Sequence, residues 1–196
     1  MPPSSPDHIF PDGQPRDAVA HQSTRDVAKS SEAEIRDLLL QNLFHQIGDS
    51  HSWEGEGKSA RFKLKPLLGH AVCAAEEKLE YNLPSWIKLK HSNDILISDI
   101  NKNWWIGIEI KHRSAVTDQF KCRAYDMQHL KDSFKDRLLG IMVYVKANEG
   151  ISEKRAKGIC YYFDKFVYVP DRDRHLPSVW NELYDTIIEF LKRQLD

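Results

Sequence analysis

The chain has 196 residues and a formal net charge of -1, so it is long enough to bury a substantial core but has no overall positive field to indicate a nucleic-acid partner. Hydrophobic residues make up 41% of the sequence, which is typical of a globular protein, and no run approaches the roughly 18 apolar residues of a membrane span. Three widely separated cysteines, and an N-terminus without the apolar core of a signal peptide, lead us to expect a cytoplasmic protein with no disulfide framework.

Residues 1–30 have the composition of a flexible tail, with five prolines and only one large aromatic side chain, Phe10. Such a segment cannot compensate for its ordering entropy by burial, although a docking arm for a partner is an alternative interpretation. A helix is predicted to start at Ser31, which forms a capping box with Glu34, and to continue along an apolar stripe. We therefore expect a flexible tail over residues 1–30 and a single domain over residues 31–196.

A basic segment then alternates between polar and apolar residues, Arg61-Phe62-Lys63-Leu64-Lys65, and this alternation predicts a short strand. Lys63 and Lys65 are candidates for contact with a phosphate backbone. Lysines that protect the exposed edge of a sheet would give the same pattern, so both interpretations stay open.

Two elements are predicted between this segment and the centre of the chain. Proline is tolerated in the first turn of a helix, and Pro66 is predicted to open a helix that continues to about Tyr81. Glu76 would lie on the flank of the apolar stripe of this helix. Alternation over residues 86–90 predicts a strand.

Residues 93–111 have the pattern of a β-hairpin. Two runs rich in β-branched and aromatic residues enclose a polar tip that contains Asn101 and Lys102. If these two are the turn residues, the strand register places Asp94 opposite Glu109, and directly opposed residues are about 4.5–5.5 Å apart. A slip of one residue would turn one strand's side chains to the other face, so this inference depends on the turn.

Lys111 lies two residues after Glu109 and therefore shares a face of the same strand. Two carboxylates and one ammonium group would then converge at the open end of the hairpin. Adjacent carboxylates repel each other, and Mg²⁺ is one reason for them to coexist, since it binds carboxylate oxygens and keeps several waters. A neighbouring lysine can activate water and offset the charge that develops on a phosphate.

This arrangement resembles the signature of the PD-(D/E)XK nuclease superfamily over roughly residues 66–145. The resemblance assigns the first acid to Asp94, the second acid to Glu109 and the lysine to Lys111. The proline that precedes the first acid in that superfamily is absent, because Asn93 stands there. The implied fold is an α/β domain with a restriction-endonuclease-like core, in which a mixed central β-sheet is flanked by α-helices.

The resemblance also implies the ligands of the metal and the residues around it. Asp94, Glu109 and the carbonyl of Ile110 would hold Mg²⁺, with Mn²⁺ as a substitute, and Glu76 would supply a further acid. The helix after the hairpin flanks the catalytic end of the sheet in that superfamily. Candidates for contact with nucleic acid, or for holding Lys111, are therefore Arg113, Lys121, Tyr125 and Gln128; a solvated helix face is the alternative for each of the helical residues.

A solvated hairpin with charged decoration is the alternative interpretation of the acid–lysine pattern. Glu-x-Lys occurs easily in a chain that is 29% charged, and it recurs at Glu76-Glu77-Lys78. The strand that carries Glu109 favours the catalytic interpretation, because both of its faces are largely apolar and it is predicted to be central and buried. A buried acid–lysine pair is costly unless it has a function.

Four further elements are predicted after the hairpin. Apolar residues recur at helical spacing from Asp118 to Leu138, and the apolar run of residues 139–145 predicts a covered central strand. Residues 158–163 and 166–169 are predicted as two strands of an edge hairpin. An amphipathic helix is predicted over residues 176–195.

The resemblance implies a Mg²⁺-dependent endodeoxyribonuclease, most simply a restriction-type enzyme that acts on DNA as a homodimer, because cutting both strands usually needs two active sites. A DNA-repair or junction-resolving nuclease is the nearest alternative. A non-catalytic nucleic-acid-binding module and a protein-interaction subunit on the same fold are alternatives from other classes.

Overall fold

The computed structural model describes residues 16–82, 88–112, 117–148 and 150–195. The helices in these ranges are α1 (Arg16–Ile47), α2 (Thr117–Phe134), α3 (Glu153–Ile159) and α4 (Asn181–Leu195). The strands are β1 (Arg61–Lys63), β2 (Ala71–Ala75), β3 (Lys78–Asn82), β4 (Lys88–Ser92), β5 (Ile95–Asp99), β6 (Trp105–His112), β7 (Leu138–Lys146) and β8 (Lys165–Pro170).

Six of the strands form one mixed sheet in the order β1-β2-β5-β6-β7-β8. The first four pair in antiparallel fashion, whereas β6, β7 and β8 run parallel. Parallel neighbours need crossover connections, which α2 and α3 provide. Strands β3 and β4 pair only with each other, as a separate hairpin. The predicted α/β class, with a mixed central sheet flanked by helices, is confirmed.

The buried side chains form two clusters, one on each face of the main sheet. The first joins α1 and α4 to Ile106, Ile108 and Ile110 of β6. The second joins α2 and α3 to Trp105 of β6 and Tyr144 of β7. Every residue of β6 is buried, which confirms the prediction of a central strand.

The predicted helix from Pro66 to Tyr81 is wrong. Only residues 66–68 form a short 3₁₀ turn, and the rest of the segment forms β2 and β3. Alternate residues of β2 are buried, with the period of two expected for a strand, and β2 is paired on both sides by β1 and β5. Tertiary pairing thus overrides the helix propensity of the alanines in this segment.

Several other element boundaries differ from the sequence predictions. Helix α1 begins at Arg16 instead of Ser31, so its backbone includes half of the predicted tail, while residues 1–15 lie outside the described residues. The predicted strand over residues 158–163 is wrong, because α3 occupies residues 153–159 with Ser152 as its N-cap. Strand β8 is parallel to β7 and therefore is not part of an edge hairpin.

The remaining predictions for the second half of the chain are confirmed with small shifts. Helix α2 ends at Phe134, and Leu138, which was placed on this helix, begins β7. The last helix, α4, follows a 3₁₀ turn over residues 177–180. All three cysteines are free thiols. Within the described ranges, no helix combines the length and the apolar character needed to cross a bilayer.

Candidate active site

The β5–β6 hairpin has the predicted register but a different loop. Ile95 pairs with Ile108 and Ser98 with Trp105, so the next position along places Asp94 opposite Glu109. The carbonyl of Asp99 accepts a hydrogen bond from the amide of Lys102 at 2.9 Å, and the amide of Asp99 donates to the carbonyl of Trp104 at 3.2 Å. Four residues, 100–103, therefore form the loop in place of the two predicted. The register is unchanged because both loops are centred on the same point.

Asp94 lies where β5 leaves β6. The backbone of Asn93 and Asp94 pairs with Glu76 and Glu77, in the turn before β3, at 3.0 Å for both hydrogen bonds. The amide of Ile110 on β6 instead donates to Asp94 Oδ2 at 2.6 Å. The Asp94 carboxylate thus lies in the gap where β5 and β6 diverge. It accepts the hydrogen bond from the Ile110 amide that a backbone carbonyl would otherwise accept.

Glu109 is fully buried and is held from two sides. Its Oε1 atom lies 2.8 Å from His91 Nε2 on β4, and its Oε2 atom lies 3.2 Å from Arg123 Nε on α2. His91 Nδ1 is in turn 3.5 Å from Asp126 Oδ2, also on α2. The β3–β4 hairpin and α2 therefore meet over the second acid, on the face of β6 opposite to α1 and α4.

Lys111 is buried at the end of β6, with 7% of its surface exposed. Its ammonium group donates to the carbonyl oxygen of Ile110 at 2.7 Å and to Glu32 Oε1 of α1 at 3.3 Å. A buried ammonium group needs such partners, because an unpaired one would be strongly disfavoured. Helix α1 thus contributes an acid to the site that the sequence predictions did not include.

The electrostatics of the cluster show that the two acids are coupled. Burial, reinforced by the negative charge of Glu109, raises the pKa of Asp94 from 3.8 to about 6, although Lys111 and the Ile110 amide oppose this shift. Burial tends to lower the pKa of the Arg123 guanidinium, but the carboxylates of Glu109 and Asp94 outweigh it and raise the pKa overall. The site therefore concentrates negative charge that Lys111 and Arg123 only partly offset.

The donor set fits a small hard cation. Asp94 and Glu109 supply carboxylate oxygens, and the ion pair with Arg123 is the one contact of the buried Glu109 Oε2 atom among the described residues, without the geometry of a hydrogen bond. The carbonyl of Ile110 is adjacent, although it accepts a hydrogen bond from Lys111. In the part of the chain that the structure describes, no group of three or more His, Cys, Asp and Glu side chains is arranged to hold a metal. Two carboxylates and a carbonyl suffice for Mg²⁺, because it keeps several waters.

Glu76 does not lie on a helix, as the sequence suggested, but in the turn between β2 and β3 with a φ of 44°. Its amide donates to the carbonyl of Asp94, so its backbone adjoins the site. Its carboxylate, however, is paired with Arg36 of α1 and, at 3.0 Å, with Lys58. Two cations thus already neutralise the acid that was predicted to complete the metal shell.

The structure separates the predicted nucleic-acid contacts from one another. Lys63 on β1 pairs with Val72 on β2, which is in register with Ser98 on β5 and so with Trp105 on β6. Lys63 is therefore level with the start of β6 and away from Glu109. The ammonium group of Lys65 donates to the carbonyl of Gln46.

On α2, the predicted contacts also point elsewhere. Lys121 is exposed beside Asp118, and Gln128 hydrogen-bonds to Tyr162. Tyr125 is exposed and packs edge-on against His129. Arg113 lies outside the described residues. Two residues of this helix that do line the site are Arg123, which contacts Glu109, and Asp126, which contacts His91; they are three positions apart on one face.

The comparisons with known proteins identify the fold and no family. No protein-family model matches the chain, and no curated protein matches it. Among solved structures, the complex of restriction endonuclease PspGI with its substrate DNA is similar, with a TM-score of 0.53 and 12% identity over 93% of this chain and 69% of that one. At this level of identity the likeness shows a restriction-endonuclease-like fold and nothing about activity.

Proposed function

We propose that this protein is a Mg²⁺-dependent endodeoxyribonuclease of the restriction type, which hydrolyses phosphodiester bonds in DNA. The observation that carries the proposal is the meeting of Asp94, Glu109 and Lys111 where β5 leaves β6. A fold shared with a restriction endonuclease supports it. A hairpin with charged decoration would expose these groups, whereas Glu109 and Lys111 are buried.

Asp94, Glu109 and the Ile110 carbonyl are the groups that would hold Mg²⁺, or Mn²⁺ in its place. When bound, the ion supplies Lewis-acid stabilisation of the phosphate and a more acidic water. The buried Oε2 atom of Glu109 supports this assignment, because it makes an ion pair with Arg123 but no hydrogen bond among the described residues. The raised pKa of Asp94 also supports it, because a cation would relieve the repulsion between the two acids.

Lys111 is the group that would orient water and offset negative charge on the phosphate. Its ammonium group is held by the Ile110 carbonyl and by Glu32, so its position is set by β6 and α1 together. This carbonyl belongs to Ile110, which lies between Glu109 and Lys111 in the sequence, so the lysine ammonium group is fixed beside Ile110. Replacement of Lys111 would remove the positive charge and the N–H donors that orient this water and offset the charge on the phosphate.

His91 and Arg123 act as positioning residues for Glu109. They contact different oxygens of its carboxylate, and Asp126 lies against the far nitrogen of His91. Such outer contacts orient a metal-binding carboxylate and are typically worth 10–100-fold in metal affinity or activity. They also explain why Glu109 can stay buried without being paired to a lysine.

Restriction-type cleavage of a duplex needs two such sites, since one site per chain cuts one strand. A homodimer is therefore part of the proposal, and it rests on this chemical requirement.

The test is cleavage of plasmid and phage DNA with Mg²⁺, comparing the wild type with Lys111→Ala. Lys192→Ala is the matched control, because Lys192 is exposed on α4. We expect the wild type and the control to cut, and Lys111→Ala and samples with EDTA not to cut. Equal cleavage by Lys111→Ala would remove the proposed mechanism.

The cut positions then separate the two kinds of nuclease. Repeated cleavage at one sequence supports the restriction-type assignment. Cuts that depend on branched structure and not on sequence would replace it with a repair or junction-resolving nuclease.

A further inference from the structure

A cavity of about 710 Å³ opens at the carboxyl ends of β7 and β8. Lys146 ends β7, Pro170 ends β8, and the loop that follows β8 forms one wall. The indole nitrogen of the fully buried Trp180 donates to the carbonyl of Arg174 at 2.9 Å, which anchors this loop to the core. The cavity, called the carboxyl-end cleft below, is therefore a formed surface. Of the residues predicted from the sequence to bind nucleic acid, none that the structure describes lines it, and Arg113 lies outside the described residues.

The carboxyl-end cleft is positively charged although the chain as a whole has a net charge of -1. Among the described residues, Lys146, Arg172 and Arg174 line it together with His175, against one lining acid, Asp171. That acid is already shared, because its Oδ1 atom accepts from Arg174 at 3.0 Å and lies 3.0 Å from His112 Nε2.

The acids at the rim leave the cations available. Asp173 lies 3.4 Å from Arg172 and Glu34 lies 3.6 Å from Arg174. The Arg172 side chain is 86% exposed, and surface pairs of this kind contribute little. An anionic ligand can therefore compete for Arg172 and Lys146 at small cost.

The carboxyl-end cleft lies beside the proposed active site. His112, which contacts Asp171, directly follows Lys111 on β6. Lys111 on β6 pairs in register with Tyr144 on β7, which pairs in turn with Tyr168 on β8, a residue that lines the cleft. Tyr168 is thus two strands from Lys111, which corresponds to roughly 10 Å between their backbones at the usual strand spacing. Helix α1 also links the two places, since Glu32 holds Lys111 and Glu34 faces Arg174.

We infer that the carboxyl-end cleft binds the phosphate backbone of the DNA whose scissile bond lies at Lys111, without reading its sequence. This inference rests on the proposed function for its orientation. Cations spread over two loops of a wide polar cavity suit successive phosphates of a strand, and contacts to phosphates position a duplex.

The test is binding of a fluorescein-labelled duplex in EDTA, measured by anisotropy at several salt concentrations, so that no cleavage is needed. The cleft variant is Lys146→Gln with Arg172→Gln. The matched control is Lys192→Gln with Arg193→Gln, which removes the same charge from exposed residues of α4. Arg172→Gln alone is the second variant, because the Arg172 side chain is exposed and its replacement leaves the core packing unchanged. Thermal unfolding checks the fold of every variant.

Each lost phosphate contact lowers the slope of log K against log salt by about 0.9. We expect a slope smaller by about 2 for the double cleft variant and by about 1 for Arg172→Gln, with weaker binding, and a wild-type slope for the control. A wild-type slope for the cleft variants, or no duplex binding by the wild-type protein, overturns the inference.

The same proteins separate this inference from the proposed function. Duplex binding that depends on the cleft, without any cleavage in Mg²⁺, would refute the nuclease and leave the cleft as a DNA-binding surface. Cleavage in Mg²⁺ with cleft variants that bind and cut like the wild type would refute the cleft and leave the nuclease.

Discussion

One face of β6 is apolar from Ile106 to Ile110 and is polar at its last residue, His112, whereas the other face changes from apolar to charged halfway along the strand. Ile106, Ile108 and Ile110 pack against α1 and α4. The other face begins with Trp105 in the second core cluster and ends with Glu109 and Lys111. Both faces are buried, so burial does not distinguish them. Burial of an isoleucine side chain stabilises the fold, whereas burial of a charge costs free energy of folding. The charged half of the strand is therefore the part that folding does not require.

The largest expected effect is on the charged half. Glu109→Gln keeps the size of the side chain and an acceptor for His91 but removes the negative charge. We expect cleavage in Mg²⁺ to fall by about 10³-fold or more, as for the loss of a principal charge-stabilising group. The free energy of unfolding should fall less than for the isoleucine variant below. A variant that still cuts like the wild type would contradict the assignment.

Ile108→Ala tests the apolar half at the neighbouring position. Ile108 has no exposed surface and lies in the cluster between the sheet, α1 and α4. Truncation of such a side chain costs about 2–5 kcal/mol of unfolding free energy, from lost burial and the cavity that remains. Denaturant unfolding measures this loss, and the folded fraction should keep its cleavage rate. A rate loss in fully folded protein would show that the two faces are not functionally separate.

Asp94→Asn tests whether the acid at the point where β5 leaves β6 destabilises the metal-free fold. Burial and then Glu109 raise its pKa from 3.8 to about 6. Below about pH 4 the carboxyl is protonated in both states, and as the pH rises to 6 the unfolded chain loses the proton first, so stability falls. Each pKa unit corresponds to about 1.4 kcal/mol, so in EDTA the variant should be roughly 2–3 kcal/mol more stable than the wild type at pH 8. At pH 4 the difference should vanish; a difference that does not change with pH would contradict the coupling.

The smallest effect is expected where the apolar and charged halves join. A Cβ atom at Gly107 would lie 2.6 Å from Asn93 Oδ1, and Asn93 is fully buried, so the amide has little room to move. Gly107→Ala should cost about 1–3 kcal/mol by overpacking. When Gly107→Ala is combined with Asn93→Ala, the loss of unfolding free energy should be smaller than the sum of the two single losses. The double variant removes both the clash and the buried Asn93 side-chain amide, which has no hydrogen-bond partner among the described residues. Additive losses in a double-mutant cycle would show that the two residues do not compete for space.

The sequence predicted the parts of this comparison that depend on local pattern. The hairpin register, the burial of β6 and the strand β7 follow from apolar runs and from the centre of one loop. The segment of β2 and β3 was mistaken for a helix, because short alternating alanines do not distinguish the two structures when the pairing strands are distant in sequence.

The partners of the proposed catalytic residues were missed for the same reason. Glu32 is 79 residues before Lys111, and His91 reaches Glu109 from a separate hairpin. No local pattern marks these contacts. The spacing of Arg123 and Asp126, three apart beside the buried Ala124 and Met127, was the available signal on α2. It indicates which polar residues flank the packed face, and hence which can reach the sheet.

The most direct test of the account is calorimetric titration of Mn²⁺ into the wild-type protein and into Glu109→Ala. This measurement needs no knowledge of the DNA sequence that is cut, which a cleavage assay does. The account predicts saturable binding by the wild type that is lost in a folded Glu109→Ala variant. Equal binding by both proteins, or no binding by the wild type, would contradict a metal site formed by Asp94 and Glu109.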